Sequence, residues 1–167
     1  MTEICYIKPV NVSYLLHLPR LIGICGHPGA GKSDVQNALE KHFHYTPTDD
    51  GQPLRAIAID QFGLSHDDVY TQAGKHCHST IDGRYIQHRD VLGRIGNALE
   101  TQLGENLLAW LETKNLDPSN RYSFGSVRRQ QGVVYRALGG VILGIRRPSV
   151  EPSRYEFDRF DESLVDV

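Results

Sequence analysis

The run Gly26-His27-Pro28-Gly29-Ala30-Gly31-Lys32-Ser33 constrains this chain more than any other feature. It fits G-x-x-x-x-G-K-[ST], the P-loop pattern. Glycines at its first, fourth and sixth positions let the backbone curl until successive N–H groups converge on an anion. A lysine in the place of Lys32 reaches the β- and γ-phosphates of a nucleotide, and a hydroxyl in the place of Ser33 serves Mg²⁺. Such a loop works between a strand and a helix, and both are expected here. Leu21-Ile22-Gly23-Ile24-Cys25 reads as a buried strand. Asp34 to His42 reads as a helix with Val35, Ala38, Leu39 and His42 on one face. The positive end of that helix adds to the phosphate site. All eight residues from Gly26 to Ser33 are therefore candidate ligands for ATP, and Ser33 is the candidate metal ligand.

At 167 residues the chain is expected to form a single domain. A formal net charge of −2 provides no global attraction to polyanions, so no nucleic-acid partner is expected. No apolar run approaches the length of a bilayer span, so no membrane association is expected. Residues Met1 to Pro19 lack the layout of a secretory signal, which points to the cytoplasm. Three cysteines cannot all pair, which fits a reducing compartment. Cys25 is expected to be a buried thiol. His76-Cys77-His78, near His66, Asp67 and Asp68, lacks zinc-site spacing and is expected to be polar surface.

Residues 1–19 read as an N-terminal extension, an edge strand or packed segment interrupted by Pro9 and Pro19. Tyr45 to Pro53 reads as a loop, and Pro53 suits the first turn of a helix running to Phe62. A rival reading makes Ala56 to Asp60 a buried strand ending in a metal-binding acid; the helix is favoured. Residues 63–83 read as a polar loop. Arg84 to Lys114 carries apolar residues at three- and four-residue intervals and reads as helix, divided at Gly104, with Trp110 in the core. Arg121 to Val127 reads as a strand, Arg128 to Leu138 as a helix ended by Gly139-Gly140, and Val141 to Ile145 as a buried strand. Residues 149–167 read as a charged, aromatic tail that wraps the domain or stays loose. This alternation predicts an α/β fold with a mainly parallel central sheet.

Four segments in order resemble the bacteriophage deoxynucleoside monophosphate kinases, a branch of the P-loop nucleoside monophosphate kinases. They are Gly26 to Ser33; Pro53-Leu54-Arg55 with Thr71-Gln72-Ala73-Gly74-Lys75; Arg89-Asp90-Val91-Leu92-Gly93-Arg94-Ile95-Gly96; and Ser126-Val127-Arg128 followed by Gly139-Gly140 and Arg146-Arg147-Pro148. Together they span residues 20–148. The resemblance implies a three-layer P-loop NTPase fold, host cytoplasm as the compartment, and a monomer or homodimer. It implies phosphoryl transfer from ATP, with Mg²⁺, to a deoxynucleoside monophosphate. Lys32, Arg89 and Arg128 become candidate catalytic residues; Arg55, Lys75, Arg89 and Asp49 become candidate substrate-binding residues. The family commonly carries D-V-R-F-x-N-E where this chain has Gly125-Ser126-Val127-Arg128-Arg129-Gln130-Gln131. Arg128 is kept and the acids are not, which favours an alternative: a kinase-derived domain that holds nucleotide without turnover. A third reading is a P-loop kinase for another small molecule.

Overall fold

The structure, a computed structural model, describes residues 18–49, 51–128, 131–153 and 159–167. The expectations for residues 1–17, for Asp50, and for Tyr155 and Phe157 lie outside the described residues.

Strand β1 (Leu21–Cys25) is buried along its whole length. It is flanked on both sides, in a four-stranded sheet of order β2-β5-β1-β6 whose pairings are all parallel. The partners are β2 (Tyr45–Thr48), β5 (Arg121–Phe124) and β6 (Val141–Gly144). The period-two alternation of a strand splits the core between two faces. Ile22 and Ile24 meet Leu39 and Tyr45 on the side of helix α1 (Lys32–Phe43). Leu21 and Cys25 meet Ala109, Phe124, Tyr135 and Ile142 on the other side, beneath α6 (Leu107–Thr113) and α7 (Gln131–Ala137). Helices therefore cover both faces of an all-parallel sheet, as such sheets require. No helix among the described residues is long and apolar enough to cross a membrane.

Between β2 and β5 the chain builds a lobe with its own core. Helix α2 (Gln52–Phe62) has Pro53 in its first turn, and Ala56 to Asp60 is helical, with Asp60 exposed. The strand alternative for that segment is thereby excluded. Short helices α3 (His66–Tyr70) and α4 (Gln72–His76) follow, then an antiparallel hairpin of β3 (His78–Ile81) and β4 (Arg84–Gln87), then α5 (His88–Leu103). Ala58, Leu64, Val69 and Val91 form the centre of this lobe.

Several sequence expectations need correction. Residues 63–83 are not a loop. Ser65 and Asp68 form a reciprocal cap on α3, and the Thr71 hydroxyl caps α4 by accepting from Gly74 N at 2.9 Å. Arg84–Gln87 is strand rather than helix. Asp82 and Gly83 both have positive φ, 49° and 71°, the geometry of a tight hairpin turn. Tyr45–Thr48 is a strand, because edge pairing with β5 uses backbone groups that local composition does not reveal. Helix α1 turns Val35 and Leu39 inward and leaves Ala38 and His42 exposed. Trp110 is 54% exposed, since Leu108 and Ala109 supply the buried face of α6. Arg128 lies before α7 rather than in it, with its N–H donating to the Gln131 Oε1 at 2.8 Å.

Other expectations match. Gly104 separates α5 from α6, and Gly139, at φ 80°, ends the α7 segment. Residues 159–167 pack along the sheet edge. Gly144 N donates to Val167 O at 2.8 Å, and Asp166 N donates to Ile142 O at 2.9 Å.

Candidate active site

The loop Gly26–Gly31 leaves the carboxyl end of β1 and enters α1, where parallel α/β sheets place their ligands. Gly26 has φ 144°, and a Cβ there would lie 2.5 Å from the Ile145 carbonyl oxygen. Only glycine fits such an approach to a neighbouring backbone. Gly29 and Gly31 also have positive φ, at 83° and 102°. The Lys32 ammonium donates to the Gly26 and His27 carbonyls at 2.8 and 3.0 Å, which holds its charge over the curl of the loop. Beneath it, burial pushes the Cys25 thiol up to about 11, so this cysteine stays a neutral packing group.

The loop forms one wall of a cleft of about 430 Å³. Gly26, Pro28, Gly29, Gly31, Lys32 and Ser33 line one side. Asp49, Lys75, Arg89 and Arg128 line the other, with Gly125 and Ser126 at the end of β5. Each cation arrives on a separate element: Lys75 in the last turn of α4, Arg89 in the first turn of α5, Arg128 after β5. His27 and Ala30 are the loop residues that face away, into a different cavity.

A second, smaller cavity of about 90 Å³ adjoins the cleft between α2 and α5. Leu54, Leu92 and Leu108 give it apolar walls, and Asn97, Glu100 and Gln131 give it polar ones. Lys75, Arg89 and Arg128 line this cavity as well as the cleft. They therefore stand at the junction of the two.

Arg55 also lines the small cavity and is 8% exposed. Burial pulls its pKa down, but the paired Asp49 carboxylate and Tyr70 more than offset this, and the net direction is upward. Asp49 further accepts from Gly51 N at 2.7 Å, so it is a structured acid and not a solvated loop residue. Lys75 shifts the other way. Burial lowers its pKa, and the charges of Arg55, Arg89 and Arg128 lower it further against the opposing pull of Asp49. A buried ammonium crowded by guanidinium groups is the electrostatic signature of an anion site.

The donor set fits Mg²⁺ held largely by phosphate. Mg²⁺ keeps waters and needs only one or two protein oxygens. The Ser33 hydroxyl lines the cleft with the carboxylates of Asp34 and Asp49. Among the described residues there is no cluster of three or more acidic, His or Cys side chains fit to hold a metal alone, and the segment around His76-Cys77-His78 forms none.

The structure thus brings Lys32, Ser33, Asp49, Lys75, Arg89 and Arg128 to one cleft, with Arg55 in the adjoining cavity. Sequence reading missed Asn97 and Glu100. Their signal was spacing: they stand three apart on α5, in the register of Gly93 and Gly96, so one helix face is both stripped of bulk and polar. It also missed Gln72, Arg147 and Gln131, which reach the cavities only through tertiary packing. Compared with known proteins, the chain matches no family model and no curated protein.

Proposed function

We propose that this protein transfers the γ-phosphoryl group of ATP to a (deoxy)nucleoside monophosphate, on a P-loop NTPase framework. One observation carries the reading: Lys75, Arg89 and Arg128 line both the cleft beside the glycine-rich loop and the small cavity between α2 and α5. That is where a phosphoryl group in transit between two nucleotides needs positive charge. The resemblance of four ordered segments to the phage monophosphate kinases supports it independently.

In this reading the loop N–H groups and Lys32 hold the β- and γ-phosphates of the donor. Mg²⁺, held at Ser33 with Asp34 or Asp49 nearby, neutralises donor phosphate charge when bound. The acceptor nucleoside sits against Leu54, Leu92 and Leu108, with Asn97, Glu100 and Gln131 facing its polar edges. Its phosphate is held by Arg89 and Arg128, whose planar forks match phosphate oxygens. An acceptor phosphate oxygen then attacks the γ-phosphorus in line as the bond to the ADP oxygen breaks. Lys75 and the two arginines offset the charge spread over the transferring oxygens.

The test is a coupled assay of ADP release, with Mg-ATP and a panel of deoxynucleoside and nucleoside monophosphates. Turnover that requires one or a few of the monophosphates supports the proposal. A second reading is favoured by β5, which leads into Gly125-Ser126 with no carboxylate. It holds that the site binds both nucleotides without turnover. ATP binding by calorimetry with no ADP release for any acceptor would establish that reading instead.

A further inference from the structure

A cavity of about 420 Å³ lies on the other side of the glycine-rich loop. The loop contributes His27 and Ala30, and the chain after β6 contributes Ile145, Pro148 and Val150. The far wall comes from the C-terminal segment, through Phe160 and Glu162. Arg147 lines this cavity and the phosphate cleft alike, so the two spaces adjoin at the loop.

We propose that this cavity takes the heterocyclic base of the donor nucleotide, with Phe160 and His27 as its recognition residues. The inference rests on the phosphate-binding reading of the loop and names what that reading leaves open. Three features carry it. The first is the shape of the lining, which is apolar and aromatic with cationic edges, as a flat π-system requires. The His27 and Phe160 rings lie 5.4 Å apart at 54°, so a base entering beside them meets one ring by its face and the other by its edge. The second is an unmet polar group. His27 Nδ1 is buried and has no hydrogen-bond partner among the described residues. A buried nitrogen without a partner is costly, and a base edge offers the missing bond.

The third feature is the anchoring of the C-terminal segment. Residues Asp161 to Val167 are fastened to β6 and α7. Ile142 N donates to the Asp166 carboxylate at 2.9 Å, and Arg136 pairs with Asp166 at 3.2 Å. Val165 packs on Gly144, where a Cβ would meet it at 2.8 Å, and Leu164 packs on Gly132. The Asp161 carboxylate accepts from Ser163 N at 2.9 Å and starts the turn Glu162–Leu164. Phe160 therefore stands on a fixed support. Its ring also rests on the core beside Cys25 and Phe124. By contrast, the Arg146–Glu162 ion pair is exposed on the rim, and it shapes the entrance more than it holds a ligand.

The experiment compares two probes by isothermal titration calorimetry with Mg²⁺: ATP and inorganic tripolyphosphate. Both fill the phosphate cleft, and only ATP fills the cavity. Phe160→Leu keeps apolar volume in the core and removes the ring; His27→Ala removes the imidazole. The expected result is an ATP affinity about tenfold weaker in each variant, with tripolyphosphate affinity unchanged. Unchanged ATP affinity in both variants overturns the proposal. An equal loss for both probes also overturns it, because the segment would then act by shaping the loop. A parent protein that binds tripolyphosphate as tightly as ATP removes the base site and leaves the phosphate reading intact. A parent that binds neither removes both.

Discussion

Arg89, in the first turn of α5, and Arg128, just beyond β5, line the same two cavities although they belong to different parts of the fold. Convergence of two guanidinium groups from separate elements has a chemical consequence. Replacing either arginine with alanine should lower kcat/KM for the best monophosphate by about 100-fold, while ATP affinity changes little. Lysine at either position should rescue only partly, because a point charge lacks the bidentate fork. Steady-state kinetics with varied acceptor, paired with ATP titrations, checks both statements.

On the donor side, Lys32 is the mobile cation at the loop, held over the Gly26 and His27 carbonyls. Lys32→Ala should reduce turnover by about 100-fold or more and remove most Mg-ATP affinity. Calorimetry on the folded variant, with circular dichroism as the fold control, gives the answer. Wild-type affinity in that variant would refute the loop assignment.

The lowered pKa of Lys75 predicts a pH effect with a definite sign. Burial and three neighbouring arginines favour its neutral form relative to the unfolded chain, whose lysine titrates near 10.5. Between the lowered value and 10.5 the unfolded chain binds more protons, so this residue's contribution to stability improves as pH rises. Anion binding works in the opposite direction. A bound phosphate favours the ammonium, so it draws in a proton, and affinity should fall as pH rises toward the ordinary lysine range. Lys75→Arg should flatten that fall, because a guanidinium stays charged. Phosphate titrations across pH, in buffers of different ionisation heats, measure both the slope and the proton uptake.

Gly74 couples the lobe's packing to the position of Lys75. A Cβ at residue 74 would lie 2.0 Å from the Asp67 carbonyl oxygen, a backbone atom that cannot rotate away. The Gly74 carbonyl also accepts from His88 Nδ1 at 2.9 Å in the tautomer that protonates that nitrogen. Gly74→Ala should therefore cost about 1–3 kcal/mol in chemical denaturation. It should also raise the acceptor KM while leaving ATP affinity near wild type. An unchanged denaturation midpoint would contradict the close approach of α3 and α4.

Trp110, the sole tryptophan, offers a probe of packing. Its indole is 54% exposed and lies under the Lys114 ammonium, 4.8 Å from the ring centroid. Its emission should be solvent-like and readily quenched by acrylamide in the native protein. Trp110→Ala should change stability by no more than about 0.5 kcal/mol.

What the sequence by itself determined was everything governed by local backbone chemistry. The strand Leu21–Cys25, the glycine-rich turn and the helix behind it follow from apolar runs, positive-φ positions and the Lys-Ser pair. The breaks at Gly104 and at Gly139-Gly140 were legible for the same reason. The hairpin at Asp82-Gly83 was also written locally, but short strands of mixed polarity at Arg84–Gln87 blended into the apolar periodicity of α5. Tertiary structure alone decided which charges meet. Lys75, Arg89 and Arg128 lie on three elements, and no spacing along the chain predicts that they border one cavity junction. It likewise decided that Trp110 faces out, that Asp49 pairs with Arg55, and that Phe160 reaches His27. Each of these depends on how the lobe and the C-terminal segment dock on the parallel sheet. Docking is set by the summed burial of many side chains and not by any one stretch of sequence.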